Sequence, residues 1–210
     1  MSAAPTKKEL VYKRIRRAII SGELKPGVIL NEAEITAQFE SGKTPTREAL
    51  LLLTHEHFLE SLPRVGYIVT QPSLQDILET FHLRLVLEVE VIGLAIERLS
   101  AEDMRCLLEN NQEEERLSAS KAGAENEKAS ALNRDFHLTL ARASGHVRMA
   151  GIIKQLMDDM ERMLAKDPYL ADPSQHRPIL AALETRDKKQ AQEALRLHIE
   201  ETRTRILNRY

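Results

Sequence analysis

Between Ser21 and Val69, Gly and Pro cut the chain into pieces that fit only small helices and a hairpin, and this stretch constrains the fold more than any other. Just before it, Leu10, Val11, Ile15, Ala18 and Ile19 recur at helical spacing, and Ser21-Gly22 followed by Pro26-Gly27 stops that helix. A second short pattern starts at Asn31, a capping residue, and runs to Phe39, with Ile35 and Phe39 on one face. A third runs from about Pro45 to Thr54. Pro45 is tolerated only in the first turn, where its missing N–H is not needed, and Thr44 stands ready to cap just before it. From Phe58 the period shortens to that of strands: Phe58 to Leu62, a turn through Pro63-Arg64-Val65-Gly66, then Tyr67-Ile68-Val69.

Three helices followed by a two-stranded ribbon outline a winged helix-turn-helix. In that fold the first residues of the third helix approach base edges in the major groove, and the hairpin tip approaches the backbone or the minor groove. The outline makes Lys43, Thr44, Thr46 and Arg47 candidate DNA-binding residues at the start of the third helix, with Arg64 and Gly66 at the hairpin tip. Lys and Arg bring long cationic donors to phosphates or guanine edges, and Gly brings access to positive φ. Taken singly, each is an ordinary surface or turn residue; their order carries the reading. Charge agrees: residues 1–71 hold 10 Lys and Arg against 8 acids and no Asp, and residues 72–210 hold 20 against 24.

The remaining two thirds reads as helices. Apolar content of 42% with only 4% aromatic residues and no Trp favours helices packed by Leu, Ile, Ala and Met. Gln71-Pro72 is the linker, giving a DNA-binding domain at 1–71 and an all-helical domain at 72–210. Ser73 to Asp76 is a capping box that opens a helix to about Leu99, and Ser100 to Asp103 opens another. Four more patterns follow, over about 124–143, 147–165, 173–184 and 188–208, divided at Gly145, Asp167-Pro168 and Arg186-Asp187. The expected fold is therefore mainly α, a winged helix-turn-helix plus a six-helix antiparallel bundle. The lone Cys106 excludes an intrachain disulfide and reads as a core thiol in a reducing compartment. No apolar run reaches a membrane span and no signal peptide is visible, so a cytoplasmic protein is expected.

The N-terminal residues resemble the DNA-binding domain of the GntR family of bacterial transcription regulators. The matching run is Gly22-Glu23-Leu24 with Pro26-Gly27, Leu30-Asn31-Glu32, Thr44 to Leu50, and Arg64 to Val69. The resemblance implies that Lys43 and Arg47 touch bases or phosphates and that Gly66 enters the minor groove. The chain departs from the family pattern at Glu40, Gly42 and Lys43, where a small residue, a Ser and an Arg are usual. The turn thereby loses a capping hydroxyl, and a Lys replaces a bidentate guanidinium, so weaker guanine discrimination is expected.

Among the seven histidines, spacing singles out three. Asn133 and His137 lie four apart, on one helix face, and His176 and His198 are equidistant from the turn at Asp187, at one height of an antiparallel hairpin. Ile179 and Leu180 beside His176, and Ala194, Leu195 and Ile199 beside His198, mark buried faces. Each histidine alone is also a satisfied core residue. Arg84, on a helix rich in Leu and Val, needs an anion, either Glu88 one turn away or the carboxylate of a bound molecule.

This half resembles the FCD domain that defines the FadR subfamily of the same regulators, from about Asp76 to Ile206. The residues that carry it are Arg84 and Glu88, Asn133 to His137, Ala143-Ser144-Gly145, His176 and His198. Six helices make it similar to the VanR-type branch. The resemblance implies that Asn133, His137, His176 and His198 hold a divalent metal, zinc or nickel, beneath a carboxylate effector, for which Arg84 is the candidate binding residue, in a homodimer that binds a double-stranded operator. Asp is common at position 133. The neutral amide predicts weaker metal retention and a stronger preference for an anionic effector.

No enzyme is expected. His-Glu-x-x-His, P-loop and Gly-x-Ser-x-Gly motifs are absent, and only Glu79 and His82 have the spacing of a di-iron bundle. A metal-dependent bundle enzyme and an effector-independent architectural DNA-binding protein are the alternatives.

Overall fold

The computed structural model describes residues 5–120, 123–164 and 172–208, the side chains of 119–120 and 123–127 excepted. The chain divides into two compact units, Met1–Pro72 and Ser73–Tyr210.

The first unit runs α1 (Lys7–Ile20), β1 (Ile29–Leu30), α2 (Glu32–Gln38), α3 (Lys43–His55), β2 (Leu59–Leu62), β3 (Gly66–Val69). Thr6 and Glu9 form a reciprocal capping box at α1, and Asn31 caps α2 through the N–H of Ala33. Val11, Ile15 and Ala18 of α1 meet Ile35, Phe39, Ala49, Leu50, Leu53, Phe58 and Leu59 in one core, while Leu10 stands outside it, exposed. The sheet has three strands rather than two, in the order β1-β3-β2, with Ile29 opposite Ile68 and Leu30 opposite Tyr67. Two residues are too few to display a period of two, which is why β1 is invisible in the sequence. The cap of α3 also differs: Gly42, not Thr44, is the N-cap, without a side-chain bond, so Pro45 becomes the third helical residue. That position is still within the first turn, where a missing N–H costs the helix nothing.

The second unit has six α-helices among its described residues: α4 (Leu74–Ala95), α5 (Ala101–Ser120), α6 (Gly123–Ala143), α7 (Val147–Leu164), α8 (His176–Glu184) and α9 (Lys188–Leu207), with a 3-10 turn at Pro173–Gln175. Ser73 with Asp76 and Ser100 with Asp103 supply the expected caps, and the Asp167-Pro168 break falls outside the described residues. α4 packs on α6, α7 and α9; α5 packs on α6 and α8. Phe81, Ile92, Leu107, Phe136, Leu140, Ile153, Ile179 and Ile199 fill the centre.

Two arginines fasten the turns. Arg98 donates to the Ser144 carbonyl, and Gly145 (φ 74°) leaves room that a Cβ would deny to that guanidinium. Arg186 donates to the carbonyls of Ile96 and Leu99 past the end of α4. Cys106 is exposed, contrary to the sequence reading. The buried stripe of α5 is Leu107, Asn111, Glu114 and Leu117, and Cys106 lies one residue off it. No helix among the described residues is long and apolar enough to cross a membrane.

Candidate DNA-reading face and metal centre

α3 presents Lys43, Thr44 and Arg47 to solvent from its first two turns, with no acid in the first turn to oppose its positive end. Arg47, its side chain 68% exposed, has Nε 3.4 Å from Oε2 of Glu32 in α2. Glu32 therefore pairs with the guanidinium without burying it, a contact the sequence reading missed because it placed Glu32 in the family run without a partner on α3. Thr46 is a correction. Its side chain is fully buried on the face that carries Ala49, Leu50 and Leu53, and its hydroxyl has no hydrogen-bond partner among the described residues. The spacing 46, 50, 53 already marks an inward stripe.

At the hairpin tip, Arg64 is exposed and takes a left-handed conformation (φ 65°). Gly66 (φ 144°) sits in β3, opposite Leu62 of β2, and a Cβ there would collide with the Leu30 carbonyl oxygen of β1. The fold alone requires that glycine.

In the bundle, α6 carries Asn133 and His137, α8 begins with His176, and α9 carries His198; all four are buried. One ring nitrogen from each histidine lies within 4.8 Å of the others. Nε2 of His137 and Nε2 of His198 are 3.3 Å apart, and two nitrogens bound to one tetrahedral zinc stand about 3.3 Å apart. Phe136 stacks on His176, ring centroids 4.0 Å apart, and forms one wall. The other four histidines are exposed.

The orphaned atoms test whether a cation fits. Asn133 Oδ1, both ring nitrogens of His176 and Nδ1 of His198 are buried without a hydrogen bond among the described residues. Buried polar atoms left unpaired are unfavourable, and a single cation can take Asn133 Oδ1 and one ring nitrogen of His176, which removes part of that deficit. The four side chains thus suit a divalent ion held by three imidazoles and one amide oxygen, all neutral, so that the ion keeps its full charge.

Two buried acids stand behind the rings. Glu88 of α4 has Oε2 2.6 Å from His137 Nδ1 and Oε1 2.6 Å from Arg84 Nε. Burial alone raises the Glu88 carboxyl, but Arg84 and His137 outweigh it and bring the pKa down to about 2. Burial pushes His137 down to about 4 against the pull of Glu88, and pushes His198 well below its ordinary value, helped by the neighbouring His176 and His137. An ionised Glu88 can only accept, so Nδ1 of His137 carries the proton and Nε2 keeps its lone pair. Glu114 of α5 has Oε2 3.3 Å from His176 Nδ1, in direct contact, although the angles do not make a hydrogen bond.

Of the two anions open to Arg84, the structure supplies Glu88; the pair is almost fully buried. The adjoining cavity, lined by Arg84, Asn133, Arg134, His198 and Thr202 among others, measures about 10 Å³. That is room for about one water. Glu114 is the site residue the sequence reading missed. Its signal was an acid at a core position of α5, eleven residues on from Asp103 of the cap.

Residues 7–69 match the family described as bacterial regulatory proteins, gntR family, and residues 79–201 match the FCD domain. The uncharacterized HTH-type transcriptional regulator YdhC of Bacillus subtilis (strain 168) is 28% identical over 147 residues, covering 70% of this chain and 65% of that protein. The gluconate operon transcriptional repressor of the same strain is 31% identical over 165 residues, covering 78% and 65%. The chain thus spans just under two thirds of the length of both relatives. The solved structure of E. coli McbR/YncC superposes with a TM-score of 0.82 over 99% of this chain and 100% of that one, at 24% identity, a likeness of fold.

Proposed function

The chain belongs to the GntR family of bacterial regulatory proteins and carries an FCD domain, and from that premise we propose a cytoplasmic homodimer that binds a pseudopalindromic operator and answers a small organic acid. Residues 1–71 read DNA; residues 72–210 hold the effector and the dimer contact. The observation that carries the reading is the outward set Lys43, Thr44 and Arg47 on the first turns of α3, with Arg64 at the hairpin tip. Long donors at that end of a recognition helix suit base edges and phosphates, and a two-fold dimer suits two half-sites one helical turn apart. The backbone at Gly66, bare of a side chain, suits close approach to the minor groove.

In the bundle, Asn133, His137, His176 and His198 hold zinc or nickel, borderline cations that imidazole suits. The ion supplies a positive charge for an anionic effector, and Arg84 supplies a bidentate donor once Glu88 releases it. One relative is named for a gluconate operon, and gluconate is a carboxylate of that class. The six helices support the FadR subfamily and its VanR-like branch.

Selection of bound DNA from a random pool, followed by a screen of small acids for loss or gain of binding, tests this. A short inverted repeat is expected, and selected sequences without one would overturn the dimeric reader. The tight cavity favours one alternative, an architectural DNA-binding protein without an effector. That protein would purify without metal and bind DNA identically with every acid.

A further inference from the structure

Glu88 and Glu114 lie on different helices, each is 3% exposed or less, and each stands against Nδ1 of a different histidine. We propose that these two acids are positioning residues of the metal centre: Glu88 holds His137 by Nδ1, Glu114 backs His176 at the same ring atom, and together they leave Nε2 of each ring for one ion and supply one shell further out the negative charge that Asn133 lacks. The inference rests on the metal reading of the four inner residues.

The geometry divides the labour. Imidazoles that bind metals commonly donate the other ring N–H to a carboxylate, which fixes the tautomer and strengthens the donor nitrogen. Glu88 meets that description at 2.6 Å, and its second oxygen is taken by Arg84 at 2.6 Å, so its charge is already balanced. Glu114 differs. Its Oε2 stands 3.3 Å from Nδ1 of His176 and has no hydrogen bond among the described residues. A buried carboxylate in that position is unfavourable unless a positive charge lies beyond the ring it touches. A cation on Nε2 of His176 is that charge, at the far side of one imidazole. The same cation satisfies Asn133 Oδ1, which a neutral core would leave orphaned. An Asp at position 133 would place the anion on the metal itself; here it stands behind a ring.

The test uses the full chain stripped with a chelator, with zinc affinity read by competition and cobalt absorption reporting ligand geometry. Wild type should bind one ion per chain, and His137→Ala should lose it. Glu114→Gln should weaken zinc by roughly 10 to 100-fold, the usual cost of losing such a carboxylate, with the cobalt spectrum unchanged. Glu114→Gln combined with Asn133→Asp should regain most of that loss, which a merely structural role for Glu114 would not produce. Glu88→Gln strands Arg84 and risks the fold, so the Glu114 pair decides. Zinc binding in Glu114→Gln equal to wild type, while His137→Ala fails to bind, would overturn the inference and leave the metal reading intact. A wild type that binds no ion would instead overturn the metal reading and this role with it.

Discussion

The two units handle polar side chains in opposite ways. The reader turns Lys43, Arg47 and Arg64 outward and keeps its core apolar except for the Thr46 hydroxyl, whereas the bundle buries Arg84, Glu88, Asn111, Glu114, Asn133, His137, His176 and His198. An outward cation awaits a partner at little expense to the fold, because solvent screens it. A buried charge must be matched inside, so the bundle's stability is tied to its chemistry and the reader's is not.

The sharpest way to break that contrast is Glu88→Ala. It leaves the Arg84 guanidinium buried and unmatched, and unfolding of the bundle by urea should show a loss of about 3–5 kcal/mol. A loss below about 1 kcal/mol, the range of exposed pairs, would place the bundle's charges on the same footing as the reader's.

The next effect is on pH. His137 titrates near 4 in the folded chain and near 6.5 unfolded, so the unfolded state takes up its proton first as pH falls. The metal-free bundle should lose stability between pH 6.5 and 4, by about 3 kcal/mol for this residue alone, with His198 adding in the same direction. The Glu88 contribution persists above pH 4.5 and is lost as pH falls toward 2. Denaturation midpoints of the reader alone should change far less over the upper part of that range, since its histidines, His55 and His57, are exposed rather than buried.

Gly66→Ala comes third. The added Cβ meets the Leu30 carbonyl and the φ of 144° disfavours it, so reader stability should fall by about 1–3 kcal/mol before any DNA is present. Unchanged stability with weakened DNA binding would make the glycine a DNA contact alone. Smallest is Thr46→Val, which replaces a buried hydroxyl that has no hydrogen bond among the described residues with a methyl: stability should hold or rise by up to about 1 kcal/mol, and operator affinity should stay the same. Arg47→Ala is its counterpart, expected to weaken operator binding by about 1–3 kcal/mol with stability unchanged.

The contrast also explains what the sequence could disclose. The reader's order of turns and helices is local, and Asn31, Pro45 and the strand period at Phe58 to Val69 announce it directly. What stayed hidden there needed contacts at a distance: the two residues of β1, the Glu32–Arg47 pair between helices, and the steric demand on Gly66 from Leu30. Thr46 was misread by position in the motif, although its spacing to Leu50 and Leu53 pointed inward. In the bundle, Asn133 with His137 was legible from a four-residue step, and His176 with His198 from their symmetry about Asp187. Glu114 had no such relation. It reaches His176 only because α5 packs on α8, a fact of topology that no local pattern encodes.

The most direct test is the affinity of the full chain for its selected inverted repeat, measured by fluorescence anisotropy with and without zinc and a panel of small carboxylic acids, beside His137→Ala. An acid should shift operator affinity in the zinc-loaded wild type, and the shift should vanish in His137→Ala while that variant still binds the repeat. Operator binding that ignores zinc and every acid in both proteins would contradict the division into a reader and a sensor.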